Sequence, residues 1–191
     1  MNTQMHMNYK VEMEKLKKKY ILTEEALEED GTTLHRIKAV SSFGDVNEGD
    51  LGGFVESEKN LSHFGLAWIY DNAKVYGDAK IHGNAKVYDN AVVFGEFYNE
   101  AKHWNIYAED VGPVEVYDNA EIFGNAIVHE NVKVYGNAKI YGNARISCHA
   151  EVYGDAQVYG DAVILGSEWS PKNIRVFGKT NAGGKTWIEV C

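Results

Sequence analysis

The chain has 191 residues, of which 45% are hydrophobic, and a formal net charge of −9. This composition is ordinary for a folded domain and excludes wholesale disorder, while the acidic balance repels phosphate backbones and argues against direct nucleic-acid binding. No run of about 18 apolar residues exists to span a membrane, and the polar start MNTQMHMNYK lacks a signal-peptide core; the two cysteines, Cys148 and Cys191, are too few for a disulfide framework and lack metal-ligand spacing, so a cytoplasmic protein with no metal is expected.

Residues 1–18 read as an N-terminal extension, in which YKVEMEKLKKK (9–19) suits a short amphipathic helix or a fraying tail equally well. Residues 19–67 carry a net charge of −6 and read as a β cap. Within them, YILTEEALEEDGTTLHRIKAV predicts a hairpin turning at Asp30-Gly31, and FGDVNEGDLGGFVESEKNLSHFG leads into the first coil.

From Trp68 the chain repeats every six residues: WIYDNA, KVYGDA, KIHGNA, KVYDNA, VVFGEF. From Glu115 it resumes with EVYDNA, EIFGNA, IVHENV, KVYGNA, KIYGNA, RISCHA, EVYGDA, QVYGDA and VILGSE. The second residue of a unit is aliphatic and the sixth is usually Ala. These two are separated by a corner but face the same interior, whereas the first and third residues point to solvent. Gly at position four and Asn or Asp at position five tolerate the backbone that a corner demands. One unit cannot bury its aliphatic residue alone, but three close a triangular coil and successive coils stack.

A period of 18 should therefore relate the outward third positions. One face then carries Tyr70, Tyr88, Tyr117, Tyr135 and Tyr153; the next carries Tyr76, Phe94, Phe123, Tyr141 and Tyr159; the third carries His82, His129, Ser147 and Leu165. That alignment requires residues 98–114 (YNEAKHWNIYAEDVGPV) to fill one strand slot of the third face, with 11 extra residues looping out. On the first face Lys86, Glu115, Lys133 and Glu151 alternate in charge. Residues 169–191 read as a C-terminal capping hairpin, NIRVFGKT against KTWIEVC, turning between Asn181 and Gly184 after Ser170-Pro171 breaks the repeat. GKTNAGGKT within it is no phosphate-binding loop, because Lys179 stands where glycine is needed. Cys148-His149 replaces the usual Gly-Asn corner, and adjacency alone supplies neither a base nor a ligand set.

The unit resembles the hexapeptide repeat of left-handed parallel β-helix proteins over residues 68–168. The stretch 34–73, LHRIKAVSSFGDVNEGDLGGFVESEKNLSHFGLAWIYDNA, looks like the N-terminal signature of a YdcK-like subgroup of bacteria and their phages, labelled transferases or polymer-forming proteins. The resemblance implies an all-β fold: a single-stranded, left-handed triangular prism of about five to six coils with N- and C-terminal capping hairpins. Many hexapeptide proteins are trimeric acyltransferases that bind acyl-coenzyme A and use a His base. On that reading the 98–114 excursion would hold the site, with His103 as general base and His82, Trp104 and His129 nearby. The repeats here are nearly uniform and no long C-terminal helix follows.

The expectation favoured by that uniformity is a non-enzymatic scaffold without a cofactor. The columns of Tyr70, Tyr88, Tyr117, Tyr135 and Tyr153, and of Tyr76, Tyr141 and Tyr159, offer rigid contact area to a basic protein partner. Ile127, Val163 and Leu165 face outward on the third face, which suits a homo-oligomer, dimer or trimer. A phage-encoded inhibitor of a host protein would be one use of such a surface.

Overall fold

The computed structural model describes residues 18–95 and 112–165 continuously, together with the strand pairs Arg175–Val176, Asn181–Ala182 and Trp187–Ile188. The described residues form strands and corners with no helix. β1 (Tyr20–Glu29) and β2 (Thr32–Ala39) make the expected hairpin, turning at Asp30 and Gly31, both with left-handed φ. β2 then pairs antiparallel with β3 (Leu51–Val55), and β3 pairs in parallel with the second strand of the coil, Lys74–Tyr76.

Beyond β3 the strands cycle around three faces. Face one stacks β5 (Lys74–Tyr76), β8 (Val92–Phe94), β11 (Ile127–His129), β14 (Arg145–Ser147), β17 (Val163–Leu165) and β20 (Trp187–Ile188). Face two stacks β6 (Lys80–Ile81), β9 (Glu115–Val116), β12 (Lys133–Val134), β15 (Glu151–Val152) and β18 (Arg175–Val176). Face three stacks β4 (Trp68–Ile69), β7 (Lys86–Val87), β10 (Glu121–Ile122), β13 (Lys139–Ile140), β16 (Gln157–Val158) and β19 (Asn181–Ala182). From β5 to β19 this is five turns of a three-sided parallel β-solenoid.

The inward positions are as the period requires. Val75, Val93, Val128, Ile146 and Ile164 form one buried column, and the sixth-position alanines from Ala73 to Ala162 are buried between the columns. Small residues at the corners let three strands meet without a void. At position four the backbone turns left-handed, and Gly136 shows why glycine recurs there: an added Cβ would lie 2.9 Å from the amide of Gly154 in the next coil. Two corners are laced by amide ladders. Asn84 donates to Asn119, Asn119 to Asn137 and Asn137 to Asp155, each over 3.0–3.1 Å; Asn90, Asn125, Asn143 and Asp161 repeat this at the next corner. An aspartate ends each run because its carboxylate accepts but has no proton to pass on.

Two expectations are corrected. The excursion fills no strand slot: β9 follows β8 in the cycle and lies directly on β6, pairing Lys80 with Glu115 and Ile81 with Val116. The aromatic columns therefore shift by one face across the break. Tyr88 stacks on Phe123 rather than joining Tyr117, and Phe94 stacks on His129. Tyr and Phe are interchangeable in such columns, so matching aromatic to aromatic did not fix the register. The charge ladders become Lys80, Glu115, Lys133, Glu151 on face two and Lys86, Glu121, Lys139 on face three. Such exposed pairs contribute about 0.2–1 kcal/mol each and chiefly discriminate between registers. A chain lacking residues 97–113 joins Glu96 to Val114 in unbroken steps of six and keeps the buried Val114 before Glu115. It is expected to keep its β circular-dichroism spectrum and a thermal midpoint within about 4 °C of the parent; loss of cooperative unfolding would return the segment to the coil.

The second correction concerns the C-terminus. β18, β19 and β20 pair in parallel with β15, β16 and β17, not with one another. Their starts at 175, 181 and 187 keep the six-residue step, so the segment extends the solenoid where a hairpin was expected. Parallel pairing wins because it continues existing ladders, whereas an isolated two-stranded hairpin is marginal in water. The helix or tail expected over residues 9–19 falls almost wholly outside the described residues.

Candidate functional site: the outer faces and the corner beside face one

The N-terminal end of the prism is plugged before any surface site begins. Trp68 is 1% exposed and meets Tyr20 and Phe43 edge-on, with ring centroids 6.1 and 5.4 Å apart. Asn60, buried, donates to the carbonyls of Gly77 and Ala79. β3 can lie close against the coil because it has glycine there: a Cβ on Gly53 would fall 2.5 Å from the Ala73 carbonyl oxygen. Lys19, also buried, donates from Nζ to the Ala67 carbonyl at 2.6 Å, and burial pulls its ammonium down to about 8.

The sign of that shift is testable. Unfolded, Lys19 keeps its proton to about 10.5; folded, it releases it near 8. Between these values the unfolded chain binds more protons, so stability rises with pH. The tyrosines work the other way above pH 10, since burial raises Tyr20 and Tyr88 and the unfolded phenols ionise first. The urea midpoint should climb from pH 8 to 9.5 in the parent and stay flat over that window in Lys19→Met. Equal slopes in both proteins would remove Lys19 as the cause.

The outward columns are continuous stacks. On face two, His82, Tyr117, Tyr135 and Tyr153 follow at centroid distances of 5.0, 5.1 and 4.9 Å, with nearly parallel planes. On face three, Tyr88, Phe123, Tyr141 and Tyr159 follow at 4.7, 4.8 and 5.3 Å. Because each ring lies over its neighbour, the ring faces are occupied within the column and the edges remain for a partner. The Tyr88 hydroxyl donates to Glu121; burial first, then that carboxylate, raises its phenol above the ordinary range. Burial and the neighbouring Tyr135 do the same for Tyr117.

Two tyrosines expected on the binding surface are committed to the cap instead. Tyr76 is buried beneath the β1–β2 hairpin, in a small second core with Leu34 and Phe54, and its hydroxyl donates to Asp30. Tyr70 donates to Asp45, which also takes Lys86 Nζ at 2.6 Å; that ammonium, more than the phenol, holds the Asp45 carboxyl below its usual range. Tyr70 and Tyr76 thus fasten the cap.

His82 and His129 are not brought together. His82 stands on face two against Tyr117, and His129 on face one against Phe94. His103 and Trp104 lie outside the described residues. The structure adds a feature that adjacency in sequence did not reveal. At the corner after face one, Glu130, Asn131, Cys148 and His149 all take left-handed φ, between 54° and 61°. For residues with a Cβ this conformation costs roughly 1–2 kcal/mol apiece. The two coils are stitched there: the Cys148 thiol donates to Glu130 Oε2 at 3.0 Å, and His129 Nδ1 lies 3.3 Å from Glu130 Oε1. The signal was present in the units themselves, since ENV and CHA replace the Gly-Asn-Ala corner at a separation of 18. Among the described residues no group of three or more His, Cys, Asp and Glu could hold a metal ion, and no helix is long and apolar enough to cross a membrane.

Fold and surface together define a parallel β-solenoid scaffold with ordered side-chain columns. No protein-family model matches the chain. A curated relative, described as an uncharacterized acetyltransferase YdcK from Escherichia coli (strain K12), is 42% identical over 62 residues. The match spans 28% of this chain and 19% of that protein's length.

Proposed function

We propose that the solenoid is a rigid interaction scaffold whose tyrosine columns on faces two and three receive a basic protein partner. The regular run of Tyr117, Tyr135 and Tyr153 supports this reading: rings held by their neighbours lose little rotamer freedom on binding, and the corners that follow Tyr117 and Tyr153 expose the carboxylates of Asp118 and Asp155. Inhibition of a host protein is one role such a scaffold would serve. The test is affinity capture with the full chain, followed by the Tyr135→Ala, Tyr153→Ala double variant. A captured partner lost in that variant, with the solenoid spectrum retained, supports the reading; equal capture by both sinks it.

A second reading is acyl transfer, favoured by the printed description of the Escherichia coli relative. The His129–Glu130 pair has the composition of a carboxylate-oriented base, and His103 remains the alternative base. Acetyl-coenzyme A would be the donor. Calorimetric titration separates the readings: saturable micromolar binding, abolished in His103→Ala, Trp104→Ala or His129→Ala, would replace the scaffold with an enzyme.

A further inference from the structure

We infer that the outer side of face one, beyond the cap hairpin, docks an extended segment of a partner that carries alternating apolar residues and a carboxylate. The cap itself supplies the template. The β1–β2 hairpin tip lays Leu27 and Leu34 over Phe54, Tyr76 and Phe94, while Glu29 pairs with Lys74 Nζ at 2.6 Å and Asp30 accepts from the Tyr76 hydroxyl. An acidic, leucine-bearing hairpin tip is therefore what this face already binds at its first two rungs.

The first-position column keeps its apolar character past the hairpin. The first-position column runs Lys74, Val92, Ile127, Arg145, Val163 in direct register. On faces two and three that position holds alternating charges; on face one it is apolar except for Lys74 and Arg145. Lys74 has the hairpin carboxylate. Arg145 is exposed and, among the described residues, no carboxylate lies within ion-pair distance of its guanidinium. An arginine between Ile127 and Val163 repeats the Lys74 environment, and its planar fork suits a carboxylate better than an ammonium does. In the third-position column His129 and the buried Ser147 follow Phe94, so the apolar floor on either side of Arg145 is made by Ile127 and Val163, with Leu165, 41% exposed, at its far end. The occupant inferred is thus a partner segment resembling the cap hairpin in chemistry: leucine-like residues for the floor and one Glu or Asp for Arg145.

This deepens the scaffold reading and uses a different face from Tyr135 and Tyr153, so the two fail separately. The probe is a cyclised peptide of residues 22–37, titrated into the full chain while backbone amide shifts are followed. Saturable shifts at Ile127, Arg145 and Val163 are expected, weakened about tenfold or more in Arg145→Glu. A peptide with Glu28 and Glu29 changed to Lys should bind the parent poorly and Arg145→Glu well. Shifts confined to Lys74–Phe94 would mean simple exchange with the resident hairpin and would overturn the proposal. So would no saturation, or indifference to the charge swap; retained amide dispersion shows that Arg145→Glu is folded.

Discussion

Trp68→Ala is expected to destabilise the protein by about 3–5 kcal/mol, read as a lower urea midpoint with little change in slope. The indole closes the open end of the prism, where no further coil supplies neighbours. It touches Tyr20 and Phe43 edge-on and is sealed in the same cluster as Leu61 and Ile69. Removing it leaves a cavity that the ring of backbone around it cannot collapse to fill, because β4 is hydrogen-bonded to β7 along its length. Trp68→Phe keeps an edge-to-face partner for Phe43 and should lose less than half as much. If the alanine variant lost no more than the phenylalanine one, the plug would not be what stabilises this end. Its surroundings also predict where unfolding starts. Tyr20 packs against the plug and carries His63 stacked on its other side, while Lys19 lies over Phe43, so amide exchange in Trp68→Ala should rise first at Tyr20 and Ala39 and spread later to the coils.

The period of six, the inward Val/Ile and Ala columns and the corner chemistry were legible in the sequence because each unit repeats the same local rule. The turn at Asp30-Gly31 was legible for the same reason. The register across residues 98–114 was not, because Tyr and Phe recur at the third position of both aromatic faces. First-position residues carried the missing information: Val92 belongs with Ile127 and Val163, and Lys86 with Glu121 and Lys139, only if the break takes no slot. The last coil was hidden by its own composition. RVFGKT keeps the aliphatic second residue in Val176, but it and NAGGKT both lack the tyrosine and the sixth-position alanine, and the six residues added before Arg175 disguise the phase. For the candidate site, the tyrosine columns were visible, yet the loss of Tyr70 and Tyr76 to the cap was not, since pairing with Asp45 and Asp30 spans 25 and 46 residues. Glu130 and Cys148 became partners only once coils were stacked.

Ile140→Ala, at the end of β13, and Tyr141→Ala, the next residue, should separate what the interior and the surface columns contribute. Ile140 is fully buried, with Ile122 in the coil before and Val158 in the coil after. Its strand is pinned on both sides: the amide of Phe123 donates to the Ile140 carbonyl, and that of Tyr141 to Val158, each at 2.9 Å. With the backbone fixed, the space left by the removed atoms stays open, placing the loss at about 2–5 kcal/mol. Tyr141 gives up two stacking contacts, to Phe123 and Tyr159, worth about 0.5–1.5 kcal/mol apiece, and part of that is recovered as the exposed edges hydrate. Denaturant titration of the two variants is thus expected to rank Ile140→Ala as the more damaging by a factor of about two. The reverse order would mean that the outer aromatic columns, rather than the filled prism, hold the coils together. Because each coil touches only its neighbours, the damage from Ile140→Ala should also stay local at first. Amide exchange should accelerate in β10, β13 and β16 before it does in β4 or β7.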